Sequence, residues 1–317
     1  MRRLLIDTDP GVDDAMAVLM ALASPEFDVV AMTTVFGNAA TDVTTVNALR
    51  LLDVADRPEI PVAVGAFDPI ATTYKGPVPQ VHGANGLGDA DLARPTTTPS
   101  ASSAADLIHE CAVAAEGELT LLALGPLTNL AVALRAYPDL PELVDEVVVM
   151  GGNALVPGNA TPVAEANINN DPEAADLVFG ADWPVTMVGL DVTHEVNLTG
   201  AAIDRITATD TPGGRLLRGA LPRYRNFFET TNGIDGIYVH DPSTIAFLLE
   251  PDAFTTRAWP IRVETESFSR GKTWPNLGNT DESTPEAWQG RPTVDVCTEV
   301  DSERVVRLVE ERLTAGA

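Results

Sequence analysis

The sequence predicts a single α/β domain over residues 1–317, an open, mostly parallel, doubly wound (Rossmann-like) sheet with helices on both faces. Three observations predict it. Strand-like apolar runs alternate with helical segments, the mark of parallel strands joined by helical crossovers. The 317 residues show no internal repeat and no linker-like stretch, and one large α/β domain is within reach of that length. Four carboxylates, Asp7, Asp9, Asp13 and Asp14, crowd the turn between the first strand and the first helix, where an open α/β sheet binds its ligands.

The elements follow in order. Arg3-Leu4-Leu5-Ile6 reads as a buried strand, and Ala15 to Leu22 as a helix. Phe27 to Val35 is a second strand ending in the turn Phe36-Gly37-Asn38. Thr41 to Ala55 is helical, with an apolar stripe of Val43, Val46, Leu49, Leu51 and Leu52. Pro61 to Gly65 is a short third strand. Residues 66–100, rich in Gly, Pro and Thr, break the rhythm and read as a long loop over the site. A helix near 103–116 leads to the strand Leu119–Leu124, and Gly125-Pro126-Leu127-Thr128-Asn129-Leu130 opens the next helix. Asp145–Met150 is a strand followed by a polar loop through Asn167, and Asp171-Pro172 begins a helix. Pro184–Leu190 is a strand. Gly214 to Thr230 reads as a helix interrupted near Pro222, and Val239-His240-Asp241 starts another. Beyond 260 come short strands, a polar insertion at about 266–292, and a helix from Ser302 to about Leu313.

Four like charges in eight residues repel, and each favours protonation unless a cation sits among them. A hard divalent ion satisfies them, since Ca²⁺ takes roughly six to eight oxygen ligands. Helix capping accounts for Asp13 or Asp14 and leaves Asp7 and Asp9 unexplained. An EF-hand does not fit: counted from Asp7, its glycine and glutamate positions hold Val12 and Val18.

The run Asp7-Thr8-Asp9-Pro10-Gly11-Val12-Asp13-Asp14-Ala15 resembles the DxDPGxDDA signature of the inosine-uridine preferring nucleoside hydrolases, and the resemblance extends to at least Thr244. It implies calcium-dependent hydrolysis of the N-glycosidic bond of ribonucleosides, in purine or pyrimidine salvage. Carried over by position, it assigns Asp9, Asp14, Asp241 and the main-chain carbonyl of Leu124 to Ca²⁺. Asp13, Asn38, Asn159, Glu165 and Asn167 go to the ribose, and His82 to the neighbourhood of the base. Carboxylates and amides suit hydroxyls that both donate and accept. A cage of acids favours an oxocarbenium-like transition state. Asp9 is the expected base for water, with Asp14 as alternative, and His240 the expected proton donor to the leaving base. His109, in an alanine-rich helix, reads as structural, and His194 has no evident partner. Of Tyr224, Phe227, Phe228 and Tyr238, one or two are expected at the base. Ala166 stands where the family often has a bulky aromatic, and Ser243-Thr244 where it has an apolar pair. A homodimer or homotetramer is implied.

Composition bounds the rest. A net charge of −26 and a pI near 4.3 argue against nucleic-acid binding. No apolar run reaches membrane-spanning length, and the N-terminus enters a strand directly, so a cytoplasmic location is expected. Cys111 and Cys297 read as buried thiols. The dispersed acids, with Lys75 and Lys272 as the only lysines, suggest salt adaptation. An aspartate-based phosphatase needs a suitably placed lysine, and both lysines fall in loop-like stretches. Gly271-Lys272-Thr273 lacks the earlier glycine of a phosphate loop. Two other readings stand beside the leading one: a hydrolase of a different N-riboside, and a calcium-dependent nucleoside or sugar binder without turnover. The binder has no need of a proton donor such as His240.

Overall fold

Alternate residues of the first strand feed opposite faces of one sheet. In β1 (Arg2–Thr8), Leu4 and Ile6 enter one hydrophobic core and Leu5 enters a second, all three fully buried. A strand covered on both sides by helices needs this continuous apolar run. The structure, a computed structural model, describes residues 1–278 and 284–316.

The remaining strands are β2 (Phe27–Thr34), β3 (Val62–Val64), β4 (Leu119–Ala123), β5 (Val144–Met150), β6 (Val185–Val188), β7 (Asn197–Thr199), β8 (Gly236–Tyr238), β9 (Phe254–Val263), β10 (Thr273–Pro275) and β11 (Thr293–Val300). The main sheet runs β10-β9-β11-β6-β5-β4-β1-β2-β3. From β3 to β11 every pairing is parallel, whereas β9 and β10 add an antiparallel edge. The expected doubly wound, mostly parallel sheet is therefore present. β7 and β8 form a separate antiparallel pair.

The chain steps outward from β1 to β3, then crosses back to β4 on the other side of β1. The sheet order reverses between β1 and β4, so their carboxyl ends open the crevice in which such folds bind ligands. One face is covered by helices Val12–Leu22, Pro212–Asn232, His240–Leu249 and Ser302–Ala315. The other carries Ala104–Ala115, Thr128–Ala136 and Pro172–Val178.

One expectation changes, and two stretches gain detail. The Pro212–Asn232 helix is continuous through Pro222. Pro222 and Arg218 both lie on the solvent side, where the carbonyl deprived of its partner can be hydrated. Residues 66–100 contain one helical turn, Pro79–His82, and are tied down along their length. Tyr74 Oη donates to the Gly37 carbonyl at 2.8 Å, Asn47 Nδ2 to the Asn85 carbonyl at 2.8 Å, and Arg223 pairs with Asp89 at 2.6 Å. Of the polar insertion at 266–292, residues 279–283 lie outside the described residues, and the rest contributes β10 and a short 3₁₀ turn, Glu286–Trp288. Cys297 is buried and Cys111 half-buried.

Candidate active site

The acidic turn divides into scaffold and site. Asp7 Oδ1 accepts from Thr33 Oγ1 at 2.6 Å and Asn129 Nδ2 at 2.7 Å, which ties β1 to β2 and to helix Thr128–Ala136. Burial pushes its carboxyl up to about 7 against those two hydrogen bonds. Asn129, which also donates to the Thr34 carbonyl and accepts from the Ala66 amide, is a scaffold residue that the sequence signalled only through Gly125-Pro126-Leu127-Thr128-Asn129.

Asp9 follows the strand. Its Oδ2 accepts from the Asn38 amide at 2.6 Å, and its Oδ1 is buried with no hydrogen-bond partner. Glycines make room for it: a Cβ on Gly125 would stand 2.5 Å from that Oδ1, and a Cβ on Gly37 would collide with the same carboxylate. Asp13 and Asp14 open helix Val12–Leu22. Asp14 caps it, taking the Gly11 amide at 2.9 Å, and also accepts from Thr8 Oγ1 and Asn38 Nδ2. Asp13 Oδ2 accepts from Tyr224 Oη at 2.8 Å, leaving Oδ1 buried and unpartnered. Asp241 arrives at the start of helix His240–Leu249. One oxygen each from Asp13, Asp14 and Asp241 lies within 4.8 Å of the others.

Burial raises the pKa of Asp9, Asp14 and Asp241, and neighbouring carboxylates raise each further; on Asp241 the charges of Asp14, Asp13 and Asp9 all act. Buried, mutually repelling carboxylates with orphaned oxygens fit a hard divalent cation and no softer one. The cap reading holds for Asp14 and is insufficient for the group.

The structure brings His82 and His240 to this cluster. His82 Nδ1 accepts from the Val12 amide at 3.1 Å, so the neutral ring carries its proton on Nε2. It stands 3.9 Å from Asp13 Oδ1, and burial pushes it down to about 4. His240 Nδ1 is 2.8 Å from Thr193 Oγ1, and burial, then the nearby His194 and His82, push it down to about 3. His194 is half-buried with its ring 5.5 Å from that of His240 and 4.8 Å from Tyr238. Phe228 bridges Tyr224 at 5.0 Å and Tyr238 at 5.4 Å. These rings form one aromatic wall beside the acids, which includes Tyr238 and gives His194 a setting that the sequence did not show. His109 lies elsewhere, stacked on Tyr137 at 3.9 Å.

The amide set divides. Asn38 bridges Asp9 and Asp14. Glu165 is buried and caps helix Ala166–Asn170, its oxygens accepting from the Asn167, Ile168 and Gly152 amides; burial nonetheless raises its pKa. Asn167 Nδ2 donates to the Leu124 carbonyl at 2.6 Å and to the Met150 carbonyl at 3.1 Å. Leu124 precedes Gly125, the residue against Asp9, so this amide chain ends beside the acids. Asn159 is exposed at the rim, its Oδ1 accepting from the Ala166 amide at 3.0 Å.

Comparison with known proteins shows the family. The family model described as inosine-uridine preferring nucleoside hydrolase matches residues 4–307. A probable uridine nucleosidase 2 of Arabidopsis thaliana is 41% identical over 315 residues, 98% of this chain and 97% of the relative. A pyrimidine-specific ribonucleoside hydrolase RihA of Salmonella gallinarum is 38% identical over 316 residues, covering 98% and 97%. The solved plant nucleoside hydrolase PpNRh1 superposes with a TM-score of 0.96 at 39% identity over 99% of both chains. The chain belongs to the inosine-uridine preferring nucleoside hydrolase family, and its chemistry is hydrolysis of the N-glycosidic bond of ribonucleosides.

Proposed function

We propose that this hydrolase is calcium-dependent and acts in salvage on pyrimidine ribonucleosides, uridine foremost. The observation that carries the metal reading is the buried, unpartnered Oδ1 of Asp9 beside the cluster of Asp13, Asp14 and Asp241. The pyrimidine preference is supported by relatives named for uridine and for pyrimidine ribonucleosides.

Asp9, Asp14, Asp241 and the Leu124 carbonyl would hold the ion. Asp13 has an oxygen in the same cluster as Asp14 and Asp241. Its Oδ2 is engaged by Tyr224 and its Oδ1 faces His82, which suits a sugar hydroxyl. When bound, the ion supplies positive charge that keeps these acids ionised and makes water more acidic. Asp9 Oδ1, free of other partners, takes the proton of the attacking water. Asp13, Asn38, Glu165 and Asn167 orient the ribose, with Asn159 at the rim. The negative cage favours positive charge on the sugar as the bond lengthens. His240 is neutral in the free enzyme, with Nδ1 turned to Thr193 and Nε2 left for the base. Negative charge growing on the departing base raises the affinity of the adjacent imidazole for a proton, which His240 takes from solvent and passes through Nε2 to the base, while Asp9 returns the proton of the attacking water to solvent. His82 and the aromatic wall contact the base.

Among the described residues no helix is long and apolar enough to cross a membrane, and a net charge of −26 opposes contact with nucleic acid. A cytoplasmic homodimer or homotetramer is the proposed state, supported by Phe268, Trp274 and Leu277, which are exposed within one short stretch. Light scattering on a sizing column measures it.

The deciding experiment is ribose release from a panel of ribonucleosides with Ca²⁺, with chelator, and with Asp9→Ala. Release greatest for uridine and absent in both controls supports the proposal. Full activity in chelator overturns the metal assignment, and faster release from inosine overturns the base preference.

A further inference from the structure

The tripeptide Gly271-Lys272-Thr273 is buried against the loop that leads to Glu165 and Asn167. Lys272 Nζ donates to the carbonyls of Asn153, Ala154 (3.1 Å) and Val156 (3.4 Å). The Thr273 hydroxyl accepts from the Asn153 amide and donates to the Asn153 carbonyl, both at 2.8 Å. Gly271, at φ +85°, lies so close to Ala164 and Asn169 that a Cβ would come within 2.9 and 3.0 Å of them. From the other side, Asp191 accepts the Ala154 and Leu155 amides, each at 2.7 Å. A buried cation gathers the carbonyls of this turn and a buried anion gathers its amides.

The clasp acts on the sugar side of the site. Gly152, the residue before the clamped turn, donates its amide to Glu165 Oε2 at 2.9 Å. Asn153 Nδ2 holds the Val156 and Val163 carbonyls at 2.8 and 3.0 Å, which closes the base of the loop. Glu165 in turn caps the short helix that carries Asn167. A buried ammonium held by carbonyls and lying 5.6 Å from the centre of the Trp274 ring, with one carboxylate nearby, is costly to build, and a plain surface loop has no need of it.

We infer that Lys272, with Thr273, is a positioning residue for ribose recognition, holding the loop so that Glu165 and Asn167 meet the sugar in register. This rests on the proposed ribose role of those two residues. A shift of an ångström in such a group weakens substrate binding without altering the reacting acids.

The test compares wild type, Lys272→Met, Thr273→Val and Lys272→Arg in the calcium-loaded enzyme, measuring KM and kcat for uridine and kcat/KM for 2′-deoxyuridine. Wild type should favour the riboside strongly. Lys272→Met and Thr273→Val should each raise KM for uridine at least tenfold, keep kcat within about threefold, and shrink the riboside preference, with partial recovery in Lys272→Arg. Folded variants that keep the wild-type KM and riboside preference would overturn the clasp alone. A wild type that does not discriminate between the sugars overturns the ribose assignment and the clasp with it. If Lys272→Met does not fold, Thr273→Val decides.

Discussion

Tyr224 donates its hydroxyl to Asp13 Oδ2 at 2.8 Å, joining helix Pro212–Asn232 to the turn after β1. Both groups are buried, so removing the hydroxyl strands a carboxylate oxygen. Tyr224→Phe should cost about 1–3 kcal/mol of stability and lower kcat/KM for uridine about tenfold, a change worth roughly 1.4 kcal/mol. Urea unfolding and steady-state kinetics measure the two effects; wild-type kinetics in the variant would show that Asp13 is oriented without Tyr224.

Asp241 is raised by burial and then by the charges of Asp14, Asp13 and Asp9. Without metal these charges oppose folding, so Asp241→Asn should raise the melting temperature of the chelated protein. The same variant should lose the stabilisation by Ca²⁺, which for wild type is about 2.7 kcal/mol at a hundredfold excess over Kd. Melting curves with chelator and with Ca²⁺ read both signs. A lowered melting temperature in chelator would mean that repulsion is not what the ion relieves.

Asp7 is raised from 3.8 to about 7 by burial. The folded state thus holds its proton more tightly than the unfolded chain. The stabilisation from this group is fully present below pH 3.8 and lost as pH rises through about 7. In chelator, wild-type stability should fall across that window more steeply than that of Asp7→Asn, by at most about 1.4 kcal/mol per pH unit. Parallel urea titrations at several pH values test it, and equal slopes would contradict it.

His240 has its Nδ1 turned to Thr193, and its proposed task is to protonate the leaving base. His240→Ala should cut kcat on uridine by about 10²–10⁴. It should cost far less on 4-nitrophenyl riboside, whose leaving group departs as a stable anion. Equal losses on both substrates would assign His240 to binding instead.

The net charge of −26 makes self-repulsion a standing cost, screened within roughly 8–10 Å at ordinary ionic strength. The melting temperature should rise by several degrees between about 0.1 and about 2 M NaCl. A flat or falling curve would remove salt adaptation from the account.

Local chemistry made much of this legible. Asp7 to Asp14 announced a strand, a turn and a capped helix, because capping, burial and like-charge repulsion act between near neighbours. The parallel sheet followed from the same alternation. What escaped were contacts between distant segments. Tyr224 reads as one aromatic of a helical stripe until Asp13 stands opposite. His194 gains meaning only when Tyr238 and His240 fold against it. Lys272 looked like part of a polar insertion because burial by residues 153–156 leaves no periodicity near residue 272. Pro222 reads as a break in the sequence, since which face of the helix meets solvent is a tertiary fact.

The two groups of acids stand at opposite ends of the chain, Asp9 to Asp14 in the first turn and Asp241 near the start of one of the last helices. A chain without residue 241 therefore has three of the four proposed ligands, Asp9, Asp14 and the Leu124 carbonyl, and three acids of the first turn, Asp9, Asp13 and Asp14, with their repulsion unrelieved. A divalent ion that needs the full set would bind the finished fold more tightly than any shorter chain, and would stabilise that fold by its binding. Such an ion would tie the first turn of the chain to the start of a helix more than two hundred residues later, so that the site and the closure of the fold stand or fall together.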